Sequence, residues 1–299
     1  MKKFDSVKSL KIFAVIALVL IVAGAFVLGF AGYNKDVRYK AHCEVKVTAE
    51  ENFGDVNKQM TDTAESVFSS RGIHFVYKET MDDGRSVIYL FDGTDSISDE
   101  VLADLNKKLE KGFASSTVTV DVRAVRYNAE GYSSLGEMWW LLLAAGILLI
   151  LAFFYTAIRY KWAAAGAVAL TVIVSSALAA MVCALVRVVI TPAFLAVMAG
   201  SFAFSVLTTL YFANVIREDR KNVANEGLGA AELVSGAFRE VFLKTLASVV
   251  ALVVIALLVL VLAPSGGKFA AMEMLVCFVC AAATTVFGYG GLYALFAKK

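Results

Sequence analysis

Long apolar runs alternate with charged stretches along the chain, at residues 12–32, 138–158, 162–186, 192–214, 242–263 and 270–297. A helix rising 1.5 Å per residue crosses a hydrocarbon layer of ~30 Å in about 20 residues. The pattern therefore predicts six membrane-spanning helices. Residues 33–137 follow shorter periods. "HCEVKVTA" (42–49) alternates as a half-buried strand does, and in "DVNKQMTDTAESVFSS" (55–70) Val56, Met60, Ala64 and Val67 recur at helical spacing. "IHFVYKE" (73–79) and "RSVIYLF" (85–91) predict a hairpin around "TMDDG". "SDEVLADLNKKLEKGF" (98–113) predicts a helix with Ser98 as N-cap, closing at Gly112, and "STVTVDVRAV" (116–125) a last strand.

The order β-α-β-β-α-β predicts a small two-layer α+β domain with an antiparallel sheet. The expected organisation is 1–32 as N-terminus and first helix, 33–137 as an extracytoplasmic α+β domain, and 138–299 as helices two to six, with a cytoplasmic loop near 215–241. Basic residues set the orientation. Lys2, Lys3, Lys8 and Lys11 precede the first run, and Arg159 and Lys161 lie between the second and third. Arg217, Arg220, Lys221, Arg239 and Lys244 flank the fourth and fifth, and Lys298 and Lys299 end the chain. The opposite short loops carry only Arg187 and Lys268. Both termini of this multi-pass chain are thus expected in the cytoplasm, with residues 33–137 outside. The first run follows "MKKFDSVKSLK" and is longer than the apolar core of a signal peptide, so it reads as an uncleaved anchor.

Composition narrows the function. At 59% hydrophobic and 18% charged, the chain is excluded from the soluble globular class. Its net charge of +2 says little, and no basic patch interleaved with aromatics suggests nucleic acid. Three of the four cysteines, Cys183, Cys277 and Cys280, fall inside apolar runs, while Cys43 stands alone in the hydrophilic region. Cys277-x-x-Cys280 matches a redox or metal spacing, yet without nearby His or Asp it reads as packing. His42 and His74 are the only histidines, and Asp82-Asp83-Gly84 reads as turn chemistry. No catalytic, metal or cofactor constellation emerges, so neither an enzyme nor a resident cofactor is expected.

Ionisable groups at bilayer depth are functional suspects by default. Here Glu137, Glu273 and Arg187 stand only at the expected outer ends of spans. Deeper positions carry neutral groups: Thr171, Ser175, Ser176, Ser205, Thr208, Thr209 and Ser248, with Asn214 near an inner end. None of these holds and releases a proton near neutral pH. Small-residue stretches such as "AAAGAVAL" (163–170) and "FGYGGLY" (287–293) predict close helix packing. An amphipathic segment near 228–245 places Arg239 and Lys244 at its membrane end, as snorkelling cations.

One first span, an outer domain and then five closely spaced spans is the layout of half a resistance-nodulation-division (RND) transporter. Within that superfamily the chain resembles the SecF family, the smaller membrane subunits of the SecDF protein-export complex. "AIRYKW" (157–162) is similar to the family's Ile-Arg-Phe-Glu-Trp. Ser205, Val206 and Thr209, followed by "IRE" (216–218), stand where the family has Ser-Val-Asn-Asp-Thr and then Phe-Asp-Arg-Ile-Arg-Glu. "FLKT" (242–245) matches Leu-Ser-Arg-Thr.

The chain also departs from that pattern. Thr208 replaces the fourth span's Asp, Asn214 replaces the Asp before the cytoplasmic Arg, and Val215 replaces that Arg, while Arg217 and Glu218 remain as a charge cluster. The third span's His-Asp pair falls in "VSS" (174–176), the Gly-Gly after the first span is lost within "NKDVRYKAH" (34–42), and Lys244 retains a positive charge. The resemblance implies a divergent accessory subunit of protein export. Its implied partners are a SecD-like subunit, the SecYEG translocon and the translocating polypeptide. Coupling acids would come from the partner, with Ser205, Thr208, Thr209 and Asn214 as ion-path or interhelical polar positions. Two alternatives stay open: a non-coupling scaffold of a membrane complex, and an RND-type exporter of lipids or small molecules.

Overall fold

The computed structural model describes residues 5–50, 56–81, 84–114, 118–128, 134–222, 225, 227–263 and 265–297. Asp82, Asp83, Lys2, Lys3, Lys298, Lys299 and the Glu137 side chain lie outside the described set. The chain divides into two units. One comprises Met1–Asn34, Ser134–Val261 and Ala270–Lys299; the other comprises Lys35–Ser133 and Leu262–Phe269.

The first unit is helical: α1 (Ser6–Ala31), then, beyond the second unit's helices α2 and α3, α4 (Ser134–Tyr160), α5 (Trp162–Val186), α6 (Phe194–Lys221), α7 (Ala230–Leu262), α8 (Ser265–Thr284) and α9 (Gly290–Phe296). Among the described residues, six helical stretches are long and apolar enough to cross a membrane, the last running through α8 and α9. α5 is central and packs on α1, α4, α6 and α9. Its buried face is built of Ala164, Ala165, Ala167, Val168, Thr171, Ser175 and Ala179. These small side chains let backbones approach where lipid removes any hydrophobic drive between helices. Gly24 of α1 illustrates the fit, since a Cβ there would collide with the Met181 backbone of α5. Gly290 leaves room for Val234 Cγ1, which would stand 2.6 Å from an added Cβ.

Two elements of this helical unit differ from the sequence reading. The amphipathic segment and the fifth apolar run form one helix, α7, of 33 residues. The break after α6 is therefore shorter than the loop expected near 215–241. Leu233, Val234, Ala237 and Val241 join the buried core with Phe212 and Tyr289, so the first half of α7 is held by packing and the rest continues it. The sixth run, expected as one helix, is interrupted by a π-turn at Thr285–Tyr289. Such an insertion re-aims the residues that follow it, and Gly288, Gly290 and Gly291 cluster there against Phe13, Val234 and Leu10.

The second unit contains α2 (Val56–Ser70), α3 (Asp99–Phe113) and a sheet of β1 (His42–Ala49), β2 (Tyr77–Met81), β3 (Ser86–Asp92) and β4 (Val120–Tyr127). The strand order is β2-β3-β1-β4, and all described pairs are antiparallel. Cys43, Val45, Val47 and Ala49 alternate inward and meet Met60, Val67, Phe68, Leu105 and Leu109 from the helices. Burial in this core pushes the Cys43 thiol above its ordinary value.

β2 starts later than the 73–79 expected. Ile73 and Phe75 lean on the core without ladder partners, after Gly72 (φ 68°) ends α2, and the pairing with β3 runs from Tyr77↔Leu90. Their alternation records burial, not strand pairing. His74 is exposed on this stretch. β4 lies later than 116–125 because its register is set by β1, from Ala49↔Val120 to His42↔Tyr127.

Where the resemblance has Gly-Gly, this chain has a pin. Buried Asp36 accepts from the Arg38 N–H at 2.9 Å and from the Tyr77 hydroxyl at 3.1 Å, and Arg38 Nη2 donates to Glu79 at 2.6 Å. Burial first, and the Asp36 charge second, push the Tyr77 hydroxyl well above its ordinary value.

Candidate functional site

The stretches that carry the family resemblance come together in the helical unit, in two clusters. In the first, a cavity of about 310 Å³ opens between α6 and α7, and its lining includes Leu207, Thr208, Tyr211, Lys244, Thr245 and Ser248. Thr208 and Lys244, the positions matching the family's transmembrane Asp and Arg, therefore share one cavity. Thr208 itself has turned away chemically, since its hydroxyl donates to the Phe204 carbonyl at 2.8 Å.

Lys244 is held elsewhere. Its Nζ donates to Glu240 Oε1 at 2.8 Å and to the Tyr211 hydroxyl at 2.5 Å, and it stands 4.8 Å from the Tyr211 ring centroid. Tyr211 in turn donates to Glu240 at 2.5 Å. The triad sets a local anion beside the Lys244 cation, so the charge has a protein partner on its own helix. Lys244 thus goes beyond snorkelling. Glu240 and Tyr211 were not recognised from sequence as part of the site. Glu240 did leave a signal in its spacing: it is the residue four before Lys244 on one helix, the favourable orientation for such a pair.

The neutral groups at bilayer depth are mostly satisfied within their own helices. Thr171 donates to the Ala167 carbonyl at 2.7 Å, Ser176 to Val172 at 3.1 Å, and Thr209 to Ser205 at 2.8 Å. Threonine and serine back-bond in this way when no other partner is offered. Among the described residues, one bond between two of the deep hydroxyls crosses helices: Ser175 Oγ and Ser205 Oγ lie 2.8 Å apart, both buried. It joins the stretch standing for the His-Asp pair to the matched serine of α6. Such a bond contributes only about 0.6 kcal/mol on average, so it records proximity more than stability.

In the second cluster, at the end of the bundle where α4 gives way to α5, "AIRYKW" meets the end of α6. The Tyr160 hydroxyl donates to Asn214 Oδ1 at 3.3 Å, and Asn214 Nδ2 donates to Glu218 at 2.8 Å. The guanidinium groups of Arg159 and Arg217 stand 5.6 and 5.8 Å from the Tyr160 ring centroid. The structure thus brings Asn214, Arg217 and Glu218 together with Tyr160, and it leaves them apart from the Lys244 triad.

Glu273 is the buried carboxylate of this unit, accepting from the Thr191 N–H at 2.5 Å and the Thr191 hydroxyl at 3.0 Å. It ties α8 to the connection between α5 and α6. Arg187 donates to the carbonyls of Ala31 and Gly32 at 3.2 and 2.5 Å, covering the open end of α1. Cys277 Sγ lies 3.8 Å from Cys183 Sγ and 3.7 Å from the Met198 sulfur, both on other helices.

A family profile described as protein export membrane protein SecD/SecF, C-terminal, matches residues 116–299. Among solved structures, 99% of the chain superposes on SecDF, a translocon-associated membrane protein from Thermus thermophilus, with TM-score 0.62 and 18% identity. For SecDF in its super-membrane-facing form, the coverage is 100%, the TM-score 0.67 and the identity 19%. In both cases the chain spans 39% of the matched chain's length. No curated protein matches. At these identities the superpositions establish the fold.

Proposed function

The chain belongs to the SecD/SecF family of protein-export membrane proteins, and from that premise we propose that it is a SecF-like accessory subunit of protein export. It works with a SecD-like partner beside the SecYEG translocon, on a polypeptide emerging at the outer face. Both termini lie in the cytoplasm, the residues between the first two spans lie outside, and the membrane is the bacterial inner membrane. Coupling acids come from the partner chain.

The observation that carries this reading is the cavity shared by Thr208 and Lys244. The two family positions still face one cavity, the acid at Thr208 is gone, and Lys244 has a local anion in Glu240. Ser205, Thr208, Thr209 and Asn214 then serve as hydrogen-bonding positions along α6. One observation favours a second reading, a non-coupling scaffold: the deep hydroxyls largely bond their own helices, leaving little for a moving ion.

The test is purification of the tagged chain from its own membranes in mild detergent, with co-purifying proteins identified by mass spectrometry. A near-stoichiometric SecD-like chain with a transmembrane Asp is the expected result. Recovery only as a homo-oligomer, with no translocon component, overturns the export assignment in favour of an independent exporter. A Thr208→Asp variant separates the two export readings, because it alters secretion if coupling passes this position and leaves it unchanged in a scaffold.

A further inference from the structure

The second cluster surrounds a cavity of about 140 Å³ whose lining includes Arg159, Lys161, Arg217, Arg220, Tyr160 and Tyr293. Four cations converge there. Among the described residues, none of the four forms an ion pair within 4.0 Å. The neighbouring acids are engaged by other groups: Glu218 accepts from Asn214 at the edge of the cluster, and an Asp219 carboxylate oxygen lies 3.7 Å from where a Cβ on Gly236 of α7 would stand. Several other basic side chains of the molecule are paired, among them Arg38–Glu79, Arg126–Asp99 and Lys244–Glu240.

The donors are mostly uncommitted. Arg159 Nε donates to the Tyr160 hydroxyl at 3.0 Å and Arg220 Nη2 to the Tyr293 hydroxyl at 3.2 Å, which orient two guanidinium groups and leave their other N–H groups open. Arginine forks match the oxygens of a phosphate group in pairs. Lys161 heads α5 in the left-handed region (φ 73°) and gives that helix no side-chain cap, so the positive end of the helix adds to the field. A water-sized volume is ~30 Å³, so the cavity has room for a phosphoryl group.

The level of the cavity selects the source. Ile158 is 87% and Trp162 68% exposed beside it, and Tyr155 is also exposed. An apolar surface with Trp and Tyr at a helix end marks the headgroup level of a bilayer, and basic pockets between spans take anionic headgroups there. We propose that Arg159, Lys161, Arg217 and Arg220 form a binding site for a phosphate group, supplied by the headgroup of an anionic membrane lipid.

The test uses the full chain, delipidated in detergent, and needs no export machinery, so its outcome is independent of the proposed function. Phosphatidylglycerol and phosphatidylcholine are titrated in native mass spectrometry, with inorganic phosphate as soluble competitor. Phosphatidylglycerol is expected to bind several-fold more tightly. Arg159→Gln, Lys161→Gln and Arg220→Gln should each weaken it about fivefold; Arg159→Lys, which keeps the charge but loses the planar fork, should weaken it by less, and Arg239→Gln, outside the cavity, should leave it within twofold. Displacement by equimolar inorganic phosphate keeps the phosphate site and overturns the lipid as its source. Equal binding of both lipids, or equal weakening by Arg239→Gln, overturns the site. So does a co-purified protein segment cross-linking to Lys161 in place of lipid. Melting temperatures of each variant identify any that fail to fold, and Arg159→Lys keeps the comparison decisive in that event.

Discussion

Lys244 separates inherited charge from local structure. Removing one member of an ion pair at membrane depth leaves the other without compensation, whereas removing both with apolar residues of similar size is close to neutral. Glu240→Gln should therefore lower the melting temperature of the purified chain by a small, measurable amount, and Glu240→Gln with Lys244→Met should recover most of it. Thermal unfolding reads stability, and a secretion assay on the same variants reads function. A double variant that is stable but inactive assigns Lys244 a role in export. A double variant that is stable and active makes the pair purely structural. The sequence pointed to Lys244 through the family pattern, but not to Tyr211, because the meeting of α6 and α7 leaves no local spacing to detect.

At the scale of elements, what could be read depended on whether one face of each element was buried. β1 was legible to its ends because Cys43, Val45, Val47 and Ala49 all face the helices. α3 began where Ser98 and its following acids predicted, although Ser98 makes no side-chain capping bond. β2 was misplaced because Ile73 and Phe75 mimic a strand while packing as a loop. The π-turn of the last span was hidden, since hydropathy does not register a single inserted residue. The turn Val37–Tyr39, which ties into β2 through Asp36, carries a pH consequence.

The Tyr77 phenol is raised above its ordinary 10.0, first by burial and then by Asp36. A group whose folded value is raised contributes stability that is complete below its unfolded value and is lost as pH climbs toward the folded one. The α+β domain should thus melt progressively lower above about pH 10. Tyr77→Phe should flatten part of that dependence, with buried Tyr89, also raised by burial, supplying another part. Circular dichroism melts of the full chain between neutral and strongly alkaline pH check this. An unchanged slope in Tyr77→Phe would remove Asp36–Tyr77 from the account.

For the whole molecule, the exposed helix surfaces are of two kinds. α4 presents Ile147, Ile150, Leu151 and Phe154, apolar throughout, a face that lipid tails satisfy. The α6–α7 face presents Leu207 and Leu243 interrupted by Thr208, Tyr211, Lys244 and Ser248. Polar and charged groups at this depth turn toward protein or a water-filled cavity and away from lipid, so a neighbouring chain is expected to cover this face. Ser248→Cys, placed on a side chain whose hydroxyl bonds only the Lys244 carbonyl at 3.1 Å, tests this with little disturbance. With a short bifunctional thiol reagent in native membranes, Ser248→Cys should cross-link to a second polypeptide, and Ile150→Cys on α4 should not. Equal cross-linking from both positions would mean that the polar stripe does not mark the interface. Failure of Ser248→Cys to cross-link while its thiol reacts readily with a water-soluble maleimide would make the cavity an open, water-filled cleft, the arrangement a chain acting without a partner requires.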